Sequence, residues 1–571
     1  MSSKSVSSEK APLNVVLMWH MHQPEYRDLA TGEYRLPWTY LHAIKDYTDM
    51  AAHLERYPGA RAVVNFAPIL LEQLEDYAGR VERHLGSGEP LGDRLLSALA
   101  GAEGDFRQNA GRKWLIDACL KANEEHAIKR YPAFDELAKI ARQYRDAPSL
   151  MYLNRQFFAD LMVWYHLAWL GEAAKRKNPK VRRLLKKQRH YTLRNRHTLL
   201  QLIGDEIRGI VPRYRKLAEQ GRVELAMSPY AHPMLPLLID FQSMQEAMPG
   251  APMPETAGYP DGEARACWHL EEGAKVFERL FGTRPQGCWP SEGGLSVATA
   301  GMLAGQGFRW TASGDNVLRN SIHQEHPGEQ RDCQHQLYRY DSADLGLFFR
   351  DDGLSDLIGF TYSNWHADDA VGDLLHHLHN IGEHCESPGD SIVSIILDGE
   401  NAWEYYPENG YYFLDGLYRR LSSDPSIRLT TYGEFLNRNG SKSRSLSQLV
   451  AGSWVYGTFS TWIGDLAKNR AWDLLCDAKT ALDEWLESHP DSRDDPEILK
   501  QLAVCEGSDW FWWFGDYNPA GSVRDFDELY RRNLRNLYTL IGQGAPAALD
   551  EPLSMGGDVS AEAGGVMRRG G

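Results

Sequence analysis

The chain has 571 residues, of which 43% are hydrophobic and 25% charged, with a formal net charge of −16. This length holds two or three domains and a sizeable core. The acidic balance excludes a general binder of nucleic acid or of anionic membranes and fits a neutral substrate better.

The 17 Trp and 27 Tyr supply flat apolar faces with a polar edge. Such faces serve a large core, and they also stack on the C–H faces of sugar rings. The seven cysteines, Cys119, Cys267, Cys288, Cys333, Cys385, Cys476 and Cys505, are odd in number and widely spaced, with no CxxC. That is neither a disulfide framework nor a zinc–cysteine site, so a reducing compartment is expected. The polar start MSSKSVSSEKAP and the short apolar run Leu13–Trp19 do not make a secretion signal. No segment approaches 18 consecutive apolar residues. A soluble, cytoplasmic protein is the expectation, with nothing to indicate its oligomeric state.

Taken in order, residues 1–11 read as a disordered lead. Leu13–Trp19 reads as a buried strand ending in His20-Met21-His22-Gln23-Pro24, where Pro24 stops it. A loop at Leu36–His42 leads into a helix near Ala43–Tyr57, and Ala62–Phe66 is a second strand. From about 69 to 220 the period is helical, too long for one crossover, and is read as a helical insertion carrying the basic run Lys175–Arg189. Val223–Met227 is another strand, followed by Ser228-Pro229-Tyr230-Ala231-His232-Pro233. A helix near Glu263–Phe281 leads to Gly287-Cys288-Trp289-Pro290-Ser291-Glu292-Gly293-Gly294. Arg309–Ala312 and Leu345–Arg350 are further strand candidates.

Ser391–Leu397 is a run of mostly β-branched residues without charge, suited to a strand covered on both faces. It stops at Asp398-Gly399-Glu400-Asn401, and an aromatic cluster with Trp403, Tyr405 and Tyr406 follows. Ile427–Thr431 is a last strand. Alternating strands and helices indicate a parallel α/β sheet, closed or open. Polar and aromatic residues recur just after the strands, which favours a barrel with its site on one rim. A boundary near 436 separates this unit, residues 12–435, from a C-terminal helical domain at 436–544, which contains the aromatic run Asp509–Asp516. The Gly-, Ala- and Ser-rich residues 545–571 read as a disordered tail.

Two carboxylates stand out. Glu292 and Asp398 each lie at a strand-to-loop turn, flanked by glycine and with a Trp within five positions. Cleaving a glycosidic bond needs one carboxylate as nucleophile or base and another as acid. His20, His22 and His232 admit a metal reading, because HxH on a strand puts both rings on one face. A metal-dependent polysaccharide deacetylase would look similar; hydrogen bonding to a substrate or a buried carboxylate is the other reading. No P-loop, GxGxxG fingerprint or GxSxG elbow is present.

With these motifs in this order, the chain resembles glycoside hydrolase family 57, whose members act on α-glucans. His22-Gln23-Pro24 is similar to the family's first motif. Gly221–Leu225 with Ser228–Pro233 is similar to the second, although Ala231 stands where relatives often carry Tyr. Trp289-Pro290-Ser291-Glu292-Gly293 is similar to the third and Asp398–Glu404 to the fourth. Thr461–Asp465 with Lys468, Asn469, Ala471 and Trp472 resembles the fifth.

The resemblance implies an incomplete (β/α)7 barrel with a helical domain on its rim, and a retaining two-step mechanism without a metal or other cofactor. It implies Glu292 as nucleophile and Asp398 as acid/base, with His22, His232, Trp289, Trp403, Trp462 and Asp465 as substrate-binding candidates. Glu400 and Glu404 are read as supports. Glu224 is read either as a residue orienting the site or as a core-edge carboxylate. For the 509–516 run, helix packing is favoured over direct stacking on substrate. The leading expectation is a hydrolase of amylase or amylopullulanase type on starch, glycogen or maltodextrin. A 4-α-glucanotransferase or a branching enzyme is the alternative, sharing the chemistry up to the glycosyl-enzyme.

Overall fold

A computed structural model describes residues 10–102, 108–325, 334–340 and 344–558. Most of the expected lead, part of the expected tail, and Cys333 lie outside the described residues.

Seven strands form the centre: β1 (Leu13–Met21), β2 (Ala62–Phe66), β3 (Val223–Met227), β4 (Gly287–Cys288), β5 (Trp310–Ser313), β6 (Gly346–Phe349) and β7 (Ile392–Asp398). They are parallel and run in the order β7-β1-β2-β3-β4-β5-β6. Among the described residues β6 and β7 meet at the bridge Arg350↔Ser394, with Asp351 N donating to Ser394 O at 2.8 Å and Arg350 Nε to Ile396 O at 2.9 Å. The fold is therefore an incomplete (β/α)7 barrel with helical additions, as expected. The longest seam is β1 against β7, in register from Asn14↔Ile392 to His20↔Asp398.

Strand alternation sorts the side chains. Val15, Leu17, Trp19, Val393, Ile395 and Leu397 belong to the large core shared with the surrounding helices. Val16, Met18, Ile392 and Ile396 form a separate interior cluster with Val63, Ala226, Trp310, Ala312 and Phe348. This second cluster fills the barrel, and Tyr432, Phe435 and Leu436 of the helix Tyr432–Asn439 plug its lower end. Glu224 belongs to this plug. It accepts hydrogen bonds from Trp310 Nε1 (2.7 Å) and Gly433 N (2.8 Å), which makes it an anchor of the barrel floor.

Residues 68–219 supply helices from Pro68–Ser87 to Leu193–Glu219, as the helical period predicts. The position expected as a boundary, 436, falls within the plug helix. Arg444–Leu446 still pairs with a sheet strand, Tyr338–Tyr340. Both short strands, and the hairpin of Arg27–Asp28 with Glu33–Tyr34, are too brief to leave a periodic signal. The helices Leu466–Ser488, Pro496–Cys505, Asp509–Trp513 and Ala520–Leu540 follow. The tail is ordered as far as it is described: Leu549 is buried, and its carbonyl accepts from Arg531 and Arg535. Among the described residues, no helix is long and apolar enough to cross a membrane.

Candidate active site

The inward phase of β1 and β7 continues past the hydrophobic filling. After Val16 and Met18 comes His20; after Ile392, Ser394 and Ile396 comes Asp398. Polar side chains thus replace apolar ones at the C-terminal ends of the strands, where such barrels carry their chemistry. Gly399 follows because nothing larger fits: a Cβ there would stand 2.2 Å from Met21 Sδ.

Glu292 reaches the same rim differently. It sits in a turn after β4, with φ 60° and ψ 21°, left-handed values that are unfavourable for a residue with a side chain. The surroundings hold it there. Its carbonyl accepts from Trp454 N at 3.1 Å, its Oε2 from Trp454 Nε1 at 3.1 Å, and its Oε1 from Ser508 Oγ at 3.2 Å.

Glu292 and Asp398 line one cavity of about 620 Å³ together with His20, His22, His232, Arg350, Glu400, Trp454, Asp509, Trp512 and Trp513. Asn401 Nδ2 donates to Asp398 Oδ2 at 2.9 Å. A chain of contacts runs behind the carboxylates: Asn65 Oδ1 to His20 Nδ1 (2.6 Å), His20 Nε2 to His232 Nε2 (3.1 Å), and His232 Nδ1 to Ser508 Oγ (2.9 Å). His22 Nε2 faces both oxygens of Asp509 at 2.9 and 3.0 Å. Glu400 Oε1 accepts from His22 N and Gln23 Nε2 at 3.3 and 3.2 Å. Arg350 donates to Asp352 and Asp356, at 2.6 and 2.7 Å, and its guanidinium lies 5.7 Å from the Trp454 ring centroid.

Burial disfavours charge throughout this cluster. It raises Glu292 to about 8, with the negative charges of Asp509 and Asp398 adding to the effect. It raises Asp398 to about 6, with Asn401, His22 and Arg350 opposing. Glu400 is also raised, by burial and then by Asp398. Burial and then His22 push His20 down to about 3, and His232 is lowered by the same causes with His20 adding. The two imidazoles of the chain are therefore neutral at pH 7.

His22, His232 and Asp509 each offer a ligand atom within 4.8 Å of the others. Convergence is poor, however. The rings of His22 and His232 stack face to face, with centroids 3.7 Å apart and planes at 19°. Their in-plane lone pairs thus lie in nearly parallel planes, where a tetrahedral ion needs them to meet at one point. The stacking suits hydrogen bonding at the ring edges better.

Four sequence candidates, Glu292, Asp398, His22 and His232, come together in the cavity. The other four stand outside its lining. Trp289 is buried beside it, 6.3 Å from His20 and 5.2 Å from Trp454 between ring centroids. Trp403 packs edge-on against Trp19 and donates to Gly399 O at 2.9 Å, bracing the turn after Asp398 from the helix side. Trp462 is buried, and its carbonyl accepts from Trp472 Nε1 at 3.0 Å. Asp465 caps the helix Leu466–Ser488 through Lys468 N (3.0 Å) and pairs with Lys468 Nζ (2.7 Å).

The residues 509–516 divide between the two expected roles. Trp510 and Phe511 pack inside, against Tyr530 and Trp472, whereas Asp509, Trp512 and Trp513 line the cavity. Ser508, Asp509, Trp454 and Arg350 were not singled out as site residues from the sequence. The Ser-Asp step before an aromatic run was the available signal for the first two.

A parallel barrel with two carboxylates and aromatic walls on one rim cavity is the arrangement that glycosidic-bond chemistry needs. The chain belongs to glycosyl hydrolase family 57, whose profile matches residues 16–447. As such it is an enzyme of a glycoside hydrolase family.

No curated protein matches it by sequence. Among solved structures it is similar to the GH57-type branching enzyme of Pyrococcus horikoshii (TM-score 0.57, 15% identity, covering 94% of this chain and 93% of that one). It is similar also to the α-amylase AmyC of Thermotoga maritima (0.53, 13%, 93% and 93%). The 4-α-glucanotransferase of Thermococcus litoralis is a further likeness (0.51, 14%, 92% and 60%). At these identities the likeness is one of fold.

Proposed function

We propose that the protein is a retaining α-glucan hydrolase of amylase or amylopullulanase type, with Glu292 as nucleophile and Asp398 as acid/base. The observation that carries this reading is the pair of half-buried carboxylates on one aromatic-lined cavity. Trp454 Nε1 and Ser508 Oγ hold the Glu292 carboxylate by both oxygens, leaving its position fixed for attack on an anomeric carbon. Asp398, protonated, donates to the leaving oxygen and afterwards takes a proton from water. His22 and Asp509 present polar groups for sugar hydroxyls beside Trp512 and Trp513, and His232 holds Ser508 behind them. The six described cysteines are all unpaired, in keeping with a cytoplasmic setting.

A second reading is transfer to an acceptor sugar, by glucanotransfer or branching. It draws on the walls of Trp38, Trp169, Trp454, Trp512, Trp513 and Phe526, which can stack an acceptor and keep water out. Maltoheptaose separates the two: short sugars alone support hydrolysis, longer chains support glucanotransfer, and new α-1,6 branches support branching. Sustained formation of chains longer than the substrate, without net release of reducing ends, would overturn the hydrolase reading.

The active form must carry one proton on the pair: with two there is no nucleophile, and with none there is no acid. Charge coupling makes these steps a property of the pair, and because burial holds the proton more tightly on Glu292 than on Asp398, the reactive form is the minor one in which Asp398 carries it. The kcat/KM profile should therefore be a bell, falling on the acid side near pH 6 and on the alkaline side near pH 8, as burial sets them. A profile flat from pH 5 to about 9 would remove the pair from the rate-determining chemistry.

A further inference from the structure

The cavity has two kinds of wall. At its inner end lie His20, His22 and His232, which are buried, and Glu292, Asp398 and Asp509, which are half-buried. Besides the aromatic walls, the lining includes residues of two segments far apart in sequence: Leu120–Asn123, just after the helix Asn109–Cys119 of the insertion, and Pro519–Phe526, at the start of the helix Ala520–Leu540. Here the lining becomes solvent-exposed. The Lys121 side chain is 49% exposed and Asp525 28%, and Gly521 and Arg524 are exposed as well. This is the mouth of the cavity.

The two segments are tied together there. Lys121 Nζ lies 3.3 Å from Asp525 Oδ2, across 404 positions of sequence. The ammonium also lies 5.9 Å from the centroid of Trp38, another cavity residue. Asp525 has a weaker alternative in Arg524, its chain neighbour, at 3.9 Å. The tie involves no buried charge, so it can open and close at little cost. Nothing in the packing requires it: the adjoining Phe526 and the insertion backbone are held by other contacts, Phe526 by stacking on Trp513 (4.5 Å) and Lys121 O by accepting from Tyr165 OH (3.4 Å).

We propose that the Lys121–Asp525 ion pair is a latch across the mouth of the catalytic cavity that selects for chain length and chain ends. With the pair closed, a glucan enters by threading an end past Trp38; with it open, the interior of a long chain can be laid in from the side. The latch is a specificity determinant and touches none of the reacting atoms. It rests on the reading of the protein as an α-glucan-active enzyme.

Lys121→Ala and Asp525→Ala are compared with wild type on maltoheptaose and on amylose, along with the charge-swapped double variant Lys121→Asp/Asp525→Lys. The expected result is a rise of about two- to fivefold in the ratio of kcat/KM for amylose over maltoheptaose in each single variant, the range an exposed ion pair can shift. The swap should return the ratio to the wild-type value. Salt supplies an independent readout. Going from about 0.05 to about 0.5 M NaCl should raise the wild-type ratio towards that of the single variants, whose own ratio should not move, because screening weakens only an intact pair.

Single variants that keep the wild-type ratio overturn the latch. So does a swap that behaves like the single variants, since then the charges act separately. If the wild type turns over both substrates normally and only the ratio fails to respond, the latch alone is wrong. If the wild type turns over neither, the α-glucan reading falls and the latch falls with it.

Discussion

Glu292→Gln is expected to lower kcat on maltoheptaose by at least about 10⁴-fold, the scale on which loss of a nucleophile acts, with KM little changed. Gln has the same shape; its Oε1 can accept from Trp454 Nε1 while its Nε2 donates to Ser508 Oγ, the two groups that hold the wild-type carboxylate at 3.1 and 3.2 Å. The folded site should therefore survive and bind sugar. What disappears is the electron pair that attacks the anomeric carbon. Trapping gives the positive counterpart: a slow fluorinated glucosyl donor should add one sugar mass to the wild type, on the peptide containing Glu292, and none to the variant. A variant that keeps a tenth of wild-type turnover, or a label on another carboxylate, would sink the assignment.

Asp398→Asn should show a loss that depends on the substrate. On maltoheptaose the expected fall in kcat/KM is about 10²- to 10⁴-fold, the contribution of a positioned general acid. On an aryl α-glucoside with an acidic phenol the first step needs no proton, so the loss there should be much smaller. Departure of the glycosyl-enzyme then limits the rate, because no base activates water, and a burst of phenol should precede a slow steady state. Added azide, which needs no deprotonation, should raise that steady state. Equal losses on both substrates, with no burst, would show that Asp398 only shapes the site. The variant also loses half of the one-proton pair, so the alkaline limb near pH 8 should disappear and leave only an acid limb set by ionisation of Glu292.

The individual strands were legible because buried parallel strands write themselves as mostly apolar runs, whereas the (β/α)7 barrel followed from the family resemblance. Leu13–Trp19, Ala62–Phe66, Val223–Met227 and Ile392–Leu397 are such runs. β4, two residues long, has no period to read. The two carboxylates were legible through glycine and tryptophan around a turn. Their partners were not, because Ser508 and Asp509 approach only when the C-terminal helices dock, and no local spacing records that.

Tryptophan was the most ambiguous letter. The same flat ring is a core wedge at Trp403 and Trp462 and a cavity wall at Trp454, Trp512 and Trp513. In the short helix Asp509–Trp513 one step of the turn separates the two uses. Asp465 followed by Lys468 is, in retrospect, the spelling of a capped helix start.

The register of β1 against β7 bears on the order in which the molecule can form. Seven residue pairs, Asn14↔Ile392 to His20↔Asp398, join strands 378 positions apart. During synthesis, one edge of β1 has no partner until residue 398 has left the ribosome, while its other edge can already pair with β2. Late, non-local closure of this kind is slow and leaves an apolar strand edge exposed to other nascent chains. The catalytic cavity comes later still, since Ser508, Asp509 and Phe526 must arrive before its walls are complete. The emerging protein is thus inert towards its substrate until nearly all of the described chain has been made.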